Sequence, residues 1–233
     1  MKFSLIKCKL YHMNNLSIKK SRHNKRRDGQ VTRDVILQAA GSIFAQYGYS
    51  DATSKEICEL AGTNSAAVNY HFGGKENLYE EVLVEAHRQF LSMEDLNEIF
   101  EADISAQQKL RAFLRQMLHT AHASPQLWGI KVFLRELASP SPIVNQAMAS
   151  AVLPKAEILR KIVAQISNLP FEAPQVQRAT AFVVLPCISL IMFPEKLRLN
   201  ILPATAANAA SMLDDMACYV LGGLKALGER QSC

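Results

Sequence analysis

Apolar residues recur along this chain at helical spacing, and the pattern is legible from Thr32 onward. Val35, Ile36, Ala39, Ala40, Ile43, Phe44 and Tyr47 fall on one face of a helix. Thr32 suits its N-cap, Asp34 sits in the first turn where the helix dipole favours negative charge, and Gly48 is its predicted stop. Thr53-Ser54-Lys55-Glu56 is a capping box for a second helix with Ile57, Leu60 and Ala61 inward and Gly62 as its stop. A third, short helix is capped at Asn64 or Ser65, contains Val68 and ends at Gly73-Gly74. A fourth is predicted from Lys75 to Met93, with Leu78, Val82, Leu83, Ala86 and Phe90 on one side.

The elements then lengthen. After an acidic link, Glu94–Asp103, Ser105 and Gln108 form a capping box ahead of Leu110, Phe113, Leu114, Met117, Leu118 and Ala121. Ser124-Pro125 and Ser141-Pro142 each place a cap before Pro at the first helical position. They open a helix through Leu137 and a long one to about Ile166. Residues from Pro174 to Phe193 form a nearly all-apolar helix with Pro186 as a candidate kink. Pro194 to Pro203 reads as a connector, and a last helix runs from about Thr205 to Leu227. No strand alternation competes and no internal repeat is visible. The prediction is an all-α chain of about nine helices: an arm over 1–31, a three-helix head over 32–78 and a helical body over 79–233.

Composition narrows the class. The 233 residues, 49% hydrophobic and 20% charged, suffice for a core without a metal or disulfide staple. The net charge of +5 is uneven: residues 1–33 hold ten Lys and Arg against the single acid Asp28, leaving the rest of the chain acidic. A basic arm on an acidic body suits a polyanionic partner. The alternatives are a solubilising tail or an overlong gene start with Met13 as the initiator. The arm has no clean amphipathic stripe, so stable membrane association is not expected. The five cysteines are scattered without CxxC spacing, which points away from a zinc site or disulfide framework and towards the cytoplasm. Cys58 reads as a small core residue. No nucleophile–base grouping, phosphate loop or cofactor motif is visible, so no catalytic role and no cofactor are expected.

The most informative segment is Thr53 to Lys75. Two short helices meet at Ala61-Gly62-Thr63-Asn64, the tight turn that a helix-turn-helix needs. With Val68 and Phe72 packed inward on Ile36, Ile43 and Ile57, the opposite face shows Ser65, Ala66, Asn69 and Tyr70, small or hydrogen-bonding groups suited to base edges in a major groove. An ordinary helical hairpin with a polar surface satisfies the same spacing; the basic arm tips the balance to DNA.

From about Thr32 to Leu83 the chain resembles the N-terminal domain of the tetracycline-repressor (TetR) family. The resemblance rests on Ile36-Leu37-Gln38-Ala39-Ala40, Phe44, Tyr47-Gly48, Thr53, Ile57, Ala61-Gly62, Val68, Tyr70-His71-Phe72, Lys75 and Leu78-Tyr79. It implies that Ser65, Ala66 and Asn69 read bases and that Ser54, Lys55, Ala67, Tyr70, His71 and Lys75 meet the DNA backbone. Gly62 to Tyr79 and Phe133-Leu134-Arg135-Glu136 with Ser139-Pro140 are similar to the subgroup with a CecR-like C-terminal domain. That likeness implies sensing of small, drug-like molecules.

In the body, Phe113, Met117, Trp128, Phe133 and Met148 are candidates for an effector pocket, against plain core as the alternative. Lys131, Arg135 and Glu136 lie beside Phe133, as ligand-orienting charges, a solvated face or an internal ion pair. His119 and His122 have chelating spacing but no carboxylate or cysteine nearby in sequence, so no metal is expected. The apolar helix after Pro174 must be buried, and a second copy of the chain can bury it. Phe182, Leu185, Ile188, Met216, Val220 and Leu224 are the expected homodimer contacts. The function that follows is a ligand-responsive repressor holding a palindromic DNA operator as a dimer, with an activator of the same fold or a non-DNA helical interaction module as alternatives.

Overall fold

The computed structural model describes residues 29–123, 127–192, 195–206 and 209–230. These residues form eleven α-helices, and no strand occurs among them. Helix α1 spans 29–51, with Gly48 at φ +79° interrupting it one turn before its end. It is followed by α2 (Ser54–Leu60), α3 (Ala67–Phe72), α4 (Lys75–Phe90) and α5 (Met93–Glu101). The body continues with α6 (Ala106–Ala123), α7 (Trp128–Ala138), α8 (Val144–Ser167), α9 (Pro174–Met192), α10 (Glu195–Ile201) and α11 (Ala209–Glu229). A short 3₁₀ turn, Pro203–Ala206, precedes α11.

Two more helices form than the sequence pattern suggests. The fourth predicted helix stops at Phe90 because Leu91 turns extended and Ser92 restarts the chain, its hydroxyl accepting the Asp95 N–H at 3.0 Å. The expected acidic link is therefore mostly α5, pinned by the fully buried Leu96. Likewise, the expected connector after Pro194 is largely α10. Pro154 lies inside α8 and Pro186 inside α9. Pro125 and most of the basic arm lie outside the described residues.

Two apolar cores are present. The head core joins Ile36, Ala40 and Phe44 of α1 to Ile57 and Cys58 of α2, Val68 and Phe72 of α3, and Leu78, Tyr79 and Val82 of α4. It also takes Val132 from α7, Ile143 and Ala147, so the head is seated on the body rather than hung from it. The body core is built by α4 to α9 with α11, centred on Leu110, Leu114, Ile162, Val163, Val176 and Val183.

Candidate functional site

The head starts from its caps. Thr53 and Glu56 complete the capping box of α2: Thr53 Oγ1 accepts the Glu56 N–H at 3.2 Å, and Glu56 Oε2 accepts the Thr53 N–H at 2.9 Å. Those hydrogen bonds hold the Glu56 carboxyl below its usual range. At the other end, the Thr63 N–H donates to the Cys58 carbonyl and the Gly62 N–H to that of Glu59. This Schellman closure needs the left-handed Gly62, at φ +64°. The chain reverses there, and Asn64 caps the next turn, its Oδ1 accepting the Ala66 N–H at 3.0 Å.

The turn fixes α3 by its inner side. Val68 is fully buried and Phe72 nearly so, and the Arg33 guanidinium covers the Phe72 ring at 4.7 Å while pairing with Glu81. Ser65, Ala66 and Asn69 are left exposed, and Tyr70 is 84% exposed. Lys55 is exposed; Ser54 and His71 are partly so. Ala67 departs from the expected set. Its side chain is buried in the head core and its N–H is spent on the Asn64 carbonyl, so it has little to offer a phosphate. Lys75 lies over the Tyr49 ring at 4.7 Å and donates to the Ser50 carbonyl, which anchors the start of α4 to the end of α1.

A second feature lies in the body: a cavity of about 780 Å³ between α4, α6, α7, α8 and α9. Phe113, Met117 and Phe133, three of the five residues named for an effector pocket, line it. Trp128 does not. Its ring packs against Gly41 of α1 in the head core and its Nε1 donates to Gln38 at 2.9 Å. The Met148 side chain and the His122 side chain lie outside the described residues; His119 is exposed. Sequence reasoning missed His87, Lys155 and Arg160, which also line the cavity. Lys155 left a signal: it continues the buried α8 stripe of Ala147, Ala151, Ile158 and Ile162, where a charge is out of place.

Helix α7 joins the two features. Ile130 and Phe133 face the cavity. Arg135 donates to the Ala45 carbonyl at 2.9 Å and to that of Gln46. Glu136, buried, accepts the Tyr79 hydroxyl and, at 2.8 Å, the Ser141 N–H. Burial and the carboxylate together push the Tyr79 phenol far above its usual pKa, so it remains a donor. Arg135 and Glu136 thus hold the head rather than a ligand.

Residues 36–82 match the family described as bacterial regulatory proteins, tetR family. Residues 106–224, just over half the chain, match the C-terminal domain of the HTH-type transcriptional dual regulator CecR. The chain belongs to the TetR family, with a CecR-type C-terminal domain. Its similarity to CecR of Shigella flexneri is 43% identity over 51 residues, 22% of either chain. It is 25% identical over 132 residues to the probable regulator YttP of Bacillus subtilis, covering 57% of this chain and 63% of that one. It is 28% identical over 124 residues to SrpR of Pseudomonas putida, 53% of this chain and 55% of that one. The chain thus spans less than two thirds of the length of these two curated relatives.

Solved structures share the fold. A putative transcriptional regulator from Pseudomonas aeruginosa PAO1 superposes with TM-score 0.66 at 19% identity, covering 85% of this chain and 92% of that one. FadR from Bacillus subtilis, solved in complex with stearoyl-CoA, superposes with TM-score 0.61 at 17% identity, covering 81% and 97%. This TetR family is one of regulatory proteins, not of enzymes.

Two expected dimer residues are corrected by packing. Val220 and Leu224 are buried in the body core of their own chain, because the apolar stripe of α11 covers α6 and α8. Met216 is half-buried against the same core. On α9, Phe182 and Leu185 remain 65% and 58% exposed, while Ile188 is half-buried and, like Leu185, borders the cavity. The outer face of α11 shows Cys218, Tyr219 and Gly222 instead.

Proposed function

We propose that this TetR-family chain is a sequence-specific DNA-binding transcription regulator that acts as a homodimer and loosens its grip on a palindromic operator when a small apolar effector fills the body cavity. The carrying observation is α7. One face of this helix lines the cavity, and Trp128, Val132, Arg135 and Glu136 on its other faces hold α1 and α4 of the head. A ligand that moves Ile130 or Phe133 therefore moves the seat of the head. Operator affinity shifts by no more than the ligand's differential binding to the two head positions.

Ser65, Ala66 and Asn69 read bases in this proposal, with Ser54, Lys55, Tyr70, His71 and Lys75 on the backbone. Asn69 suits a bidentate contact with adenine. The dimer forms through the outer faces of α9 and α11. An 18-residue window of α9, Pro174–Ile191, has a mean hydropathy of 1.2 yet is only 33% buried within the protomer. By length and composition alone this helix also suffices to cross a membrane. Its inner side, Val176, Ala179, Val183 and Cys187, is built into the body core, which supports packing against a second copy instead.

The test is fluorescence anisotropy of the protein on DNA from upstream of its own gene, with a scrambled control, over a salt series. The proposal predicts a preference of about a thousandfold or more for the native DNA. Equal, steeply salt-dependent binding to both would reduce the head to a non-specific polyanion binder. The match to the domain of a dual regulator favours a second reading, in which the bound dimer also activates genes. Transcripts that fall, rather than rise, in a deletion strain would select it.

A further inference from the structure

The cavity wall contains a buried lysine with no ion-pair partner among the described residues. This residue, Lys155, is 9% exposed. Its Nζ donates to the Leu91 carbonyl at 2.5 Å and, more loosely, to the His87 carbonyl at 3.4 Å. Both carbonyls belong to the C-terminal end of α4, where the helix dipole favours a positive charge. An ammonium has three donors, so this structural role leaves one to spare. Beside it, the buried His87 Nδ1 has no hydrogen-bond partner.

Of the charges that act on Lys155, Glu94 favours its ammonium without forming an ion pair and Arg88 opposes it. Arg160, also on the wall, lies over the Phe171 ring at 4.2 Å with Glu172 at 3.6 Å. Glu157 is exposed and paired to Lys161 at 3.0 Å. Burial, with Lys155 nearby, keeps the His87 imidazole neutral, pushing it down to about 4. The rest of the lining is mainly apolar, from Phe90 and Phe113 through Phe133 to Val184 and Leu185. An unpaired charge in such a wall is costly, and an anion placed against the free donor would offset that cost.

We propose that the effector is an apolar molecule with one anionic end, a carboxylate or sulfonate, which Lys155 takes at the α4 end of the cavity while the apolar body lies between Phe113, Phe133 and Val184. This inference rests on the reading of the cavity as the effector site. Burial holds the Lys155 amine below the usual lysine range, and an anion beside it would shift it back up. The anion also competes with the Leu91 and His87 carbonyls for the same ammonium. Its arrival thereby bears on the end of α4, whose other end supports the recognition helix.

Two fluorescent probes with one aromatic skeleton test this: 8-anilinonaphthalene-1-sulfonate and its neutral counterpart N-phenyl-1-naphthylamine. The full chain is expected to bind the sulfonate about tenfold or more tighter, as a charge-assisted hydrogen bond would give. Lys155→Met removes the preference while the neutral probe still binds, and Lys155→Arg keeps it. Ala156→Trp, which fills the cavity, abolishes binding of both probes. Equal affinities for the two probes, abolished by Ala156→Trp, overturn the anion assignment and leave the effector cavity standing. A preference that survives Lys155→Met overturns the role of Lys155. Binding of either probe that Ala156→Trp does not disturb overturns both the assignment and the cavity reading beneath it.

Discussion

Asn69, Thr53 and His87 show how differently single side chains contribute. Asn69 is exposed on α3, so its replacement by alanine removes no packing. Asn69→Ala is expected to leave the melting temperature within a degree or two and to cost about 1–3 kcal/mol of discrimination at one base pair of each half-site. Competition binding with single-base operator variants measures that loss. Thr53→Ala works the other way. It breaks the capping box of α2 and is expected to cost about 1 kcal/mol of stability, read from urea unfolding. His87 carries a pH dependence. Its folded pKa, about 4, lies below the ordinary 6.5, so the unfolded chain binds the extra proton first. Stability is therefore fully present above about 6.5 and is lost as pH falls towards about 4. Thermal melts across that window are expected to decline less steeply for His87→Phe than for the unsubstituted chain.

Helix α7 explains both what the sequence made legible and what it hid. The capping box and Gly62 are local signals, so α2, the turn after it and the inward anchors Val68 and Phe72 were readable from spacing. The bounds were not, because α1 starts at 29 with Thr32 inside it and runs past Gly48 to 51, and α3 starts from Ala66 without a side-chain cap. Leu60, expected inward, is 57% exposed. Leu91 and Ser92 hid better. They continue an apolar-polar pattern with no glycine or proline, and only the Ser92–Asp95 cap signals the new helix. Trp128 reads as a pocket lining because a large aromatic next to Ile130 and Phe133 fits any apolar helix face. Which face meets α1 is set by tertiary packing that no local pattern encodes. Gly41 is the element-level evidence: a Cβ there would stand 2.4 Å from the Trp128 ring, so α1 and α7 meet only because that side chain is missing. Gly41→Ala is expected to cost about 1–3 kcal/mol as the seam is forced apart. Differential scanning calorimetry gives the loss of stability. Weaker response of DNA binding to a cavity ligand would be the functional mark of the same change.

At the scale of the whole molecule, the head is seated on the body, and the proposed twofold symmetry would come from the faces that a single chain leaves uncovered. Phe182 and Leu185 are the large apolar groups of that face on α9, and Phe182→Asp is expected to shift sedimentation from dimer to monomer. The same variant is expected to lose most operator affinity while keeping its helical content, because each head alone holds half a site. The dimer, the reading helix and the operator meet in one experiment: a DNase I footprint of the protein on the DNA upstream of its gene, alongside Asn69→Ala. The account predicts one protected palindrome with half-site centres about one helical turn apart, roughly 34–36 Å, and loss of protection in the variant. Protection without twofold symmetry, or a footprint that Asn69→Ala leaves unchanged, would contradict it.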